Sequence, residues 1–208
     1  AGNRMLRPTE IPLFPLQSVL FPGGTLDLQI FEQRYLDMVA QCLKHDSGFG
    51  VILIEDGKEV LANAGQAAPS VVRVGCYSKI IDFDQNQHGL LNIRIRGEHK
   101  FRIVDYFESA SRLMVAEVAF LEMEPVISTT DKDQGLIELL QTLLKHPAVK
   151  LDPKDIQFEE AALLGGRLSE LLPLTNSIRQ RLLELKDPVK RLRNLERILD
   201  ELQSREGG

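Results

Sequence analysis

Ser78-Lys79 is the pairing in this chain that most invites a catalytic reading, a nucleophile beside a base. It sits in a segment of strand character, where neighbouring side chains point to opposite faces, and a lysine base must lie within hydrogen-bond reach of its serine. The pair therefore reads as ordinary strand residues. Histidines stand at 45, 88, 99 and 146 without the H-x3-H spacing of a metal helix. Cys42 and Cys76 are the only cysteines. Two thiols cannot make a four-thiolate zinc site or a disulfide framework, so both read as small buried hydrophobes. The acidic pairs Glu55-Asp56 and Glu159-Glu160 are adjacent rather than converging, as on solvated faces. The phosphate-cradling pattern G-x4-G-K-[S/T] does not occur. The expectation is a protein with no catalytic residue, no metal and no cofactor.

Two groups of residues could instead bind. Arg94 and Arg96 share one strand face, and Lys100 and Arg102 share a face of what reads as the next strand. A hairpin that aligned them would bring four cations onto one surface, the footprint of an RNA-binding face. Against that, alternating apolar and charged residues are what any one-sided antiparallel sheet shows. No aromatic platform for stacking bases is interleaved. The formal net charge of −5 also argues against a protein devoted to the nucleic-acid backbone. The second group is Phe21, Glu32, Arg34 and Tyr35, which could line a groove where an extended peptide docks. Their structural alternative is a helix start, with Glu32 suiting the macrodipole and Arg34 pairing with a carboxylate.

The elements that position these residues are legible in order. Pro12 and Pro15 forbid a helix and fit an edge or strand-entry segment. Phe21-Pro22-Gly23-Gly24 is turn chemistry, and Leu26, Leu28 and Ile30 alternate with Asp27 and Gln29 as in a half-buried strand. From Glu32 to about Lys44 the period is helical, with Tyr35, Met38, Val39, Cys42 and Leu43 on one stripe. Phe49 to Ile54 reads as a continuously buried strand. Glu55 to Pro69 reads as a loop, Val71 to Phe83 as one or two strands, and Asp84 to Gly89 as a hairpin turn. Strands over Leu91–Ile95 and Phe101–Ile103, joined at Gly97-Glu98-His99, and over Leu113–Leu121 complete this half. Glu122 to Gly135 has no apolar period and marks a boundary. Beyond it the chain reads as helices: Leu136–Leu144, one capped at Asp152-Pro153 and running through Phe158 to Leu171, one capped at Thr175, and one capped at Asp187-Pro188.

Pro-Leu-Phe-Pro-x3-Leu-Phe-Pro-Gly, then Leu-x-Leu-x-Ile-Phe-Glu-x-Arg-Tyr and Phe49-Gly-Val-Ile-Leu-Ile54, resembles the N-terminal substrate-recognition (LON) domain of Lon proteases, and equally the small bacterial proteins made of that domain alone. Gln33 stands where many members have proline. Leu164-Gly-Gly-Arg-Leu-x3-Leu-Pro-Leu-Thr and Arg179-Gln-Arg-Leu-Leu-Glu184 resemble the helical bundle that follows the β-rich half in that family. The resemblance implies an α+β fold: a β-rich, PUA-like pseudobarrel with one embedded helix, then a C-terminal helical bundle. It implies a protein that recognises unfolded or partner polypeptide without the ATPase and protease domains. PUA-like relatives often bind RNA, which keeps the basic face as the alternative.

Composition sets the remaining bounds. At 208 residues, with 43% hydrophobic and 26% charged content, the chain can bury roughly 70% of its unfolded surface without a staple. The expected division is a β-rich subdomain over 1–122 and a linker with a helical subdomain over 123–208, sharing a substantial interface. No apolar run approaches the ~18 residues of a membrane span, and no secretory leader is visible, so the expected compartment is the cytoplasm.

Overall fold

The run Thr9–Leu16 carries two prolines and still forms a strand, β1, because it divides its pairing between two partners. Thr9–Pro12 lie antiparallel to Val115–Val118, and Leu13–Leu16 lie parallel to Gly50–Leu53. The computed structural model describes residues 9–59 and 65–207. In order, β1 is followed by β2 (Thr25–Ile30), α1 (Gln33–His45), β3 (Phe49–Asp56), β4 (Ser70–Val71), β5 (Val74–Gln85), β6 (Leu91–Glu108) and β7 (Met114–Phe120). Strands β1, β7, β6, β5 and β3 pair in that order, and β3 returns to β1, so a ring closes; β2 adds to β6 and β4 to β3. Part of the loop read over Glu55–Pro69, residues 60–64, lies outside the described residues.

Closure explains the unbroken apolar run of β3. Phe49 and Val51 enter one core with Phe14, Tyr35, Met38, Val39 and Cys42, where α1 covers the sheet. Ile52 enters a second core with Ile11, Leu13, Phe101, Ala116 and Val118. A strand buried on both faces needs no polar alternation. In that second core Phe101 is fully buried, and a Cβ on Gly50 or Gly75 would lie 2.7 Å from its ring. Helix α1 presents Tyr35, Met38, Val39 and Cys42 inward, whereas Leu43 is 42% exposed. Asp46, at φ 47°, ends the helix in the left-handed region.

The Gly97-Glu98-His99 hairpin expected from the sequence does not form: β6 runs straight through it as one strand of 18 residues. The glycine serves a close approach instead. In the turn Phe21–Gly24, Gly24 N–H donates to the Phe21 carbonyl (2.9 Å) and Gly23 takes φ 81°. That turn lies against Gly97, with Gly23 N–H donating to the Gly97 carbonyl (2.8 Å) and Gly97 N–H to the Gly24 carbonyl (2.9 Å). The real hairpin is at Asn86–Leu90, as its composition indicates.

The chain divides into two compact units, Ala1–Met123 and Glu124–Gly208. The second contains α2 (Gln134–Leu144), α3 (Ala161–Leu171), α4 (Asn176–Glu184) and α5 (Pro188–Glu206). Thr175 and Asp187 cap α4 and α5 through their side chains. The Asp152-Pro153 cap starts only a single 3-10 turn, and the long helix begins at Ala161. Residues 127–129 claim the backbone before it: Thr129 N–H donates to the Glu159 carbonyl and Ala161 N–H to the Ile127 carbonyl, each 2.8 Å. Phe158 is consequently half-buried outside the helix.

Helix α3 packs against α2, α4 and α5. Arg191, 2% exposed, makes a bidentate pair with Glu124 (2.6 and 2.7 Å) and donates to the Leu182 and Leu185 carbonyls. Arg179 donates to the Ser169 and Leu172 carbonyls, satisfying the open end of α3. Glu170 pairs with buried Arg167 at 2.5 Å. Burial pushes the Glu170 carboxyl from 4.5 up to about 7, with Arg167 and Arg179 opposing it.

Two outcomes follow. A Cβ at Gly97 would lie 2.5 Å from the Phe21 carbonyl oxygen, whereas at Gly135 in α2 it meets nothing within 4 Å. Urea titration should show Gly97→Ala destabilising by about 1–3 kcal/mol and Gly135→Ala stabilising by roughly 0.5–1 kcal/mol. Folded Glu170 holds its proton to a higher pH than the unfolded carboxyl does, so its contribution makes stability fall as pH rises from about 4.5 to about 7. Glu170→Gln should flatten that part of the profile; an unchanged slope would show that the carboxyl does not titrate there.

Candidate functional site

Glu32, Arg34 and Tyr35 are brought together at the start of α1. The Tyr35 ring stacks on Phe14 (centroids 4.1 Å, planes 19° apart), and the Arg34 guanidinium lies 4.5 Å from the Tyr35 centroid. Arg34 donates to the Arg112 carbonyl (2.9 Å), the Glu59 carbonyl (3.3 Å) and Glu32 Oε2 (3.3 Å). One side chain, 8% exposed, thus ties the helix start to the segment after β3 and to the β6–β7 turn. Among the described residues its Nε has no hydrogen-bond partner. Burial raises the Tyr35 hydroxyl to about 12, Arg34 opposing and the Glu32 and Glu59 carboxylates adding to the rise, so the ring acts as neutral packing. Phe21 belongs to the turn against β6 and is 2% exposed, and Tyr35 is 5% exposed. In this conformation both aromatic rings are core rather than groove lining.

The four basic residues do not converge. Because β6 is continuous, no hairpin aligns them, and Glu98 is an extra residue in β6: Ser78 pairs Gly97 whereas Tyr77 pairs His99. This bulge reverses the parity of the strand. Arg96 lies opposite Lys79, but Lys100 and Arg102 lie opposite Cys76 and Val74, on the other face. Arg94 is held by Asp27 through two bonds (2.7 and 3.1 Å), which hold its pKa above the ordinary guanidinium value; Lys100 is 6% exposed.

The feature not identified from sequence is an arm formed where β2, β6 and the outer part of β5 pair beyond the ring. On one side its cross-strand rows are apolar: Leu26, Ile95 and Ile80, then Leu28, Ile93 and Phe83. Ile93 and Ile95 are buried, but Leu26, Leu28, Ile80 and Leu91 are only half-covered, while Phe31 and Phe83 are 54% and 58% exposed. On the other side the rows are Asp27, Arg94 and Asp82, then Gln29, Asn92 and Asp84, over an open depression of about 390 Å³. The signal was present in Phe31, the residue after β2, and Phe83, in the exposed end of β5. It could be read only once the register was known. Among the described residues no group of three or more His, Cys, Asp or Glu side chains could hold a metal ion, and no helix is long and apolar enough to cross a membrane.

Comparison with known proteins adds a family. The model of the ATP-dependent protease La (LON) substrate-binding domain matches residues 10–201. The Lon protease of Cytophaga hutchinsonii is 26% identical over 204 residues, covering 93% of this chain and 24% of that protein. Protein cereblon of Xenopus tropicalis is 25% identical over 115 residues, 54% of this chain and 24% of that one. The chain thus spans about a quarter of the length of these relatives. The crystal structure of a Lon N-terminal domain protein from Xanthomonas campestris matches with a TM-score of 0.71 and 35% identity, over 90% of this chain and 96% of that one. The N-terminal domain of the Mycobacterium avium complex Lon protease shares the fold, at a TM-score of 0.59 and 17% identity over 90% of this chain and 96% of that one.

The bonds of Arg34 distinguish a clasp from a contact residue. Lysine carries its donors on one nitrogen and cannot span acceptors that Arg34 reaches from two, so Arg34→Lys should lower stability by about 2 kcal/mol and speed amide exchange in the Ser109–Arg112 turn. Unchanged stability with weakened polypeptide binding would instead make it part of a binding surface.

Proposed function

Because the chain belongs to the LON substrate-binding domain family, we propose that it is a polypeptide-recognition protein that binds unfolded or partner chains through the apolar side of the arm and catalyses no reaction of its own. The observation that carries this reading is the half-covered set Leu26, Leu28, Ile80 and Leu91, with exposed Phe83 in the row of Leu28 and Ile93 and exposed Phe31 directly after β2. Single exposed apolar residues are ordinary, but a registered cluster on a sheet face is a contact surface. A flexible chain gains from such a surface by burying its own apolar side chains, at about 25 cal/mol for each Å² removed from water. The absence of a phosphate-loop pattern and of a placed serine–lysine pair supports the non-catalytic part. Ser78 instead donates to the Phe49 carbonyl at 3.0 Å.

The alternative, an RNA-binding module using Arg94, Arg96, Lys100 and Arg102, keeps only Arg96 and Arg102 exposed, and these lie on opposite faces of β6. One experiment separates the two. Binding of a reduced, carboxymethylated client protein should survive nuclease treatment and Arg96→Ala with Arg102→Ala. Phe31→Ser with Phe83→Ser should weaken it by about tenfold or more. RNA binding that falls with salt by about 0.7 log units per contacted phosphate, and is flattened by the arginine changes, would establish the alternative.

A further inference from the structure

Strand β2 pairs with β6 and, among the described residues, with no other strand. Its second edge therefore presents backbone donors and acceptors of the kind an added strand satisfies. Natural edges are commonly blunted by lysine, proline or a bulge. The sequence Thr25-Leu-Asp-Leu-Gln-Ile30 has none of these. Its one charge, Asp27, is already engaged by Arg94. The two sides flanking that edge differ. Leu26 and Leu28 lie on the half-covered apolar side, whereas Asp27 and Gln29 face the open depression. The lining of that depression includes Asp27, Asp82 and Asp84 against one guanidinium, Arg94, so it is net acidic. Asp82 and Asp84 are exposed.

Resting on the polypeptide-recognition reading, we propose that the free edge of β2 takes up an extended segment in which apolar residues alternate with lysine or arginine. Side chains of an added strand point alternately to the two faces of the sheet it joins. Alternate residues of the guest would then extend the Leu26/Leu28 side, and those between them would lie beside Asp27 and Gln29. Lysine and arginine stems can lie along the sheet with their charged heads over the depression, within about a Debye length (8 Å) of its carboxylates at physiological salt. A strand edge selects a polypeptide over other polycations, since only a polypeptide strand matches its hydrogen-bonding row. The two faces select the order of residues within that polypeptide.

The test uses the whole chain and three blocked nonapeptides: alternating valine and lysine, alternating valine and glutamate, and a block arrangement of the valine–lysine composition. The alternating basic peptide should bind at least about tenfold tighter than the other two, and should slow exchange of amides within Thr25–Ile30. Asp82→Lys with Asp84→Lys, both changes at exposed side chains of β5 that leave the β2 edge intact, should reverse the preference toward the glutamate peptide, two exposed charge contacts being worth about tenfold. Equal affinity for all three peptides, or binding that leaves the β2 amides unprotected, would overturn the inference. If the carboxymethylated client still binds in a Phe31- and Phe83-dependent way while the alternating peptide does not, the inference falls and the recognition reading stands. Failure of both ligands to bind overturns both.

Discussion

The backbone of the Phe21–Gly24 turn rests directly on Gly97, and much of the β-rich unit depends on that approach. Two hydrogen bonds stitch the turn to β6, each contributing about 0.5–1.5 kcal/mol net. Their larger effect is positional. They set Thr25 opposite Arg96 and so fix the register of β2 for its whole length. A slip of one residue would send Leu26, Leu28 and Ile30 to the polar side and Asp27 to the apolar one. Helix α1 starts three residues after β2 ends, so its place over the core follows from the same contact. Because the bulge at Glu98 sits next to Gly97, the reversal of strand parity happens at one defined point. A side chain at Gly97 would disturb all of these together.

What could be read from the sequence was local. Alternation placed β2, the 3.6 period placed α1, and the Thr175 cap and the Asp187-Pro188 cap-and-proline pair placed the starts of α4 and α5 within about a residue. The N-terminal motif and the helical tail carried the family resemblance over nearly the whole chain. Errors arose where a local signal had a tertiary cause. Gly97-Glu98-His99 has the composition of a turn, but the glycine is needed because another segment passes within contact distance, which no single-sequence pattern encodes. Asp152-Pro153 is a genuine cap, yet only one turn follows because residues 127–129 pair with the backbone ahead of Ala161.

The candidate binding residues show the same limit. Arg94, Arg96, Lys100 and Arg102 are all even-numbered, so an uninterrupted strand would display them together; one inserted residue divides them. Polar and aromatic residues inside a recognisable motif invite a functional reading. In Arg34 and Tyr35 much of the side chain is engaged in holding loops and a helix start in place. The exposed rim of the arm consists of Leu, Ile and Phe, residue types that sequence reasoning assigns to the core by default.

The divided pairing of β1 also orders events in time. Its second half meets β3, fewer than fifty residues further along the chain, but its first half needs Val115–Val118. During synthesis at about 5–20 residues per second, Thr9–Pro12 therefore wait on the order of 5–20 s for a partner. The ring stays open through that interval, with Ile11 and Leu13 facing a core whose far wall has not yet been made. Pro12 lies in this waiting segment and removes an amide donor from it, and Pro15 removes another from the half that meets β3. A strand that cannot offer a full row of donors is a poor template for neighbouring nascent chains. The residues that look least suited to β1 in the finished fold thus protect it before the fold exists.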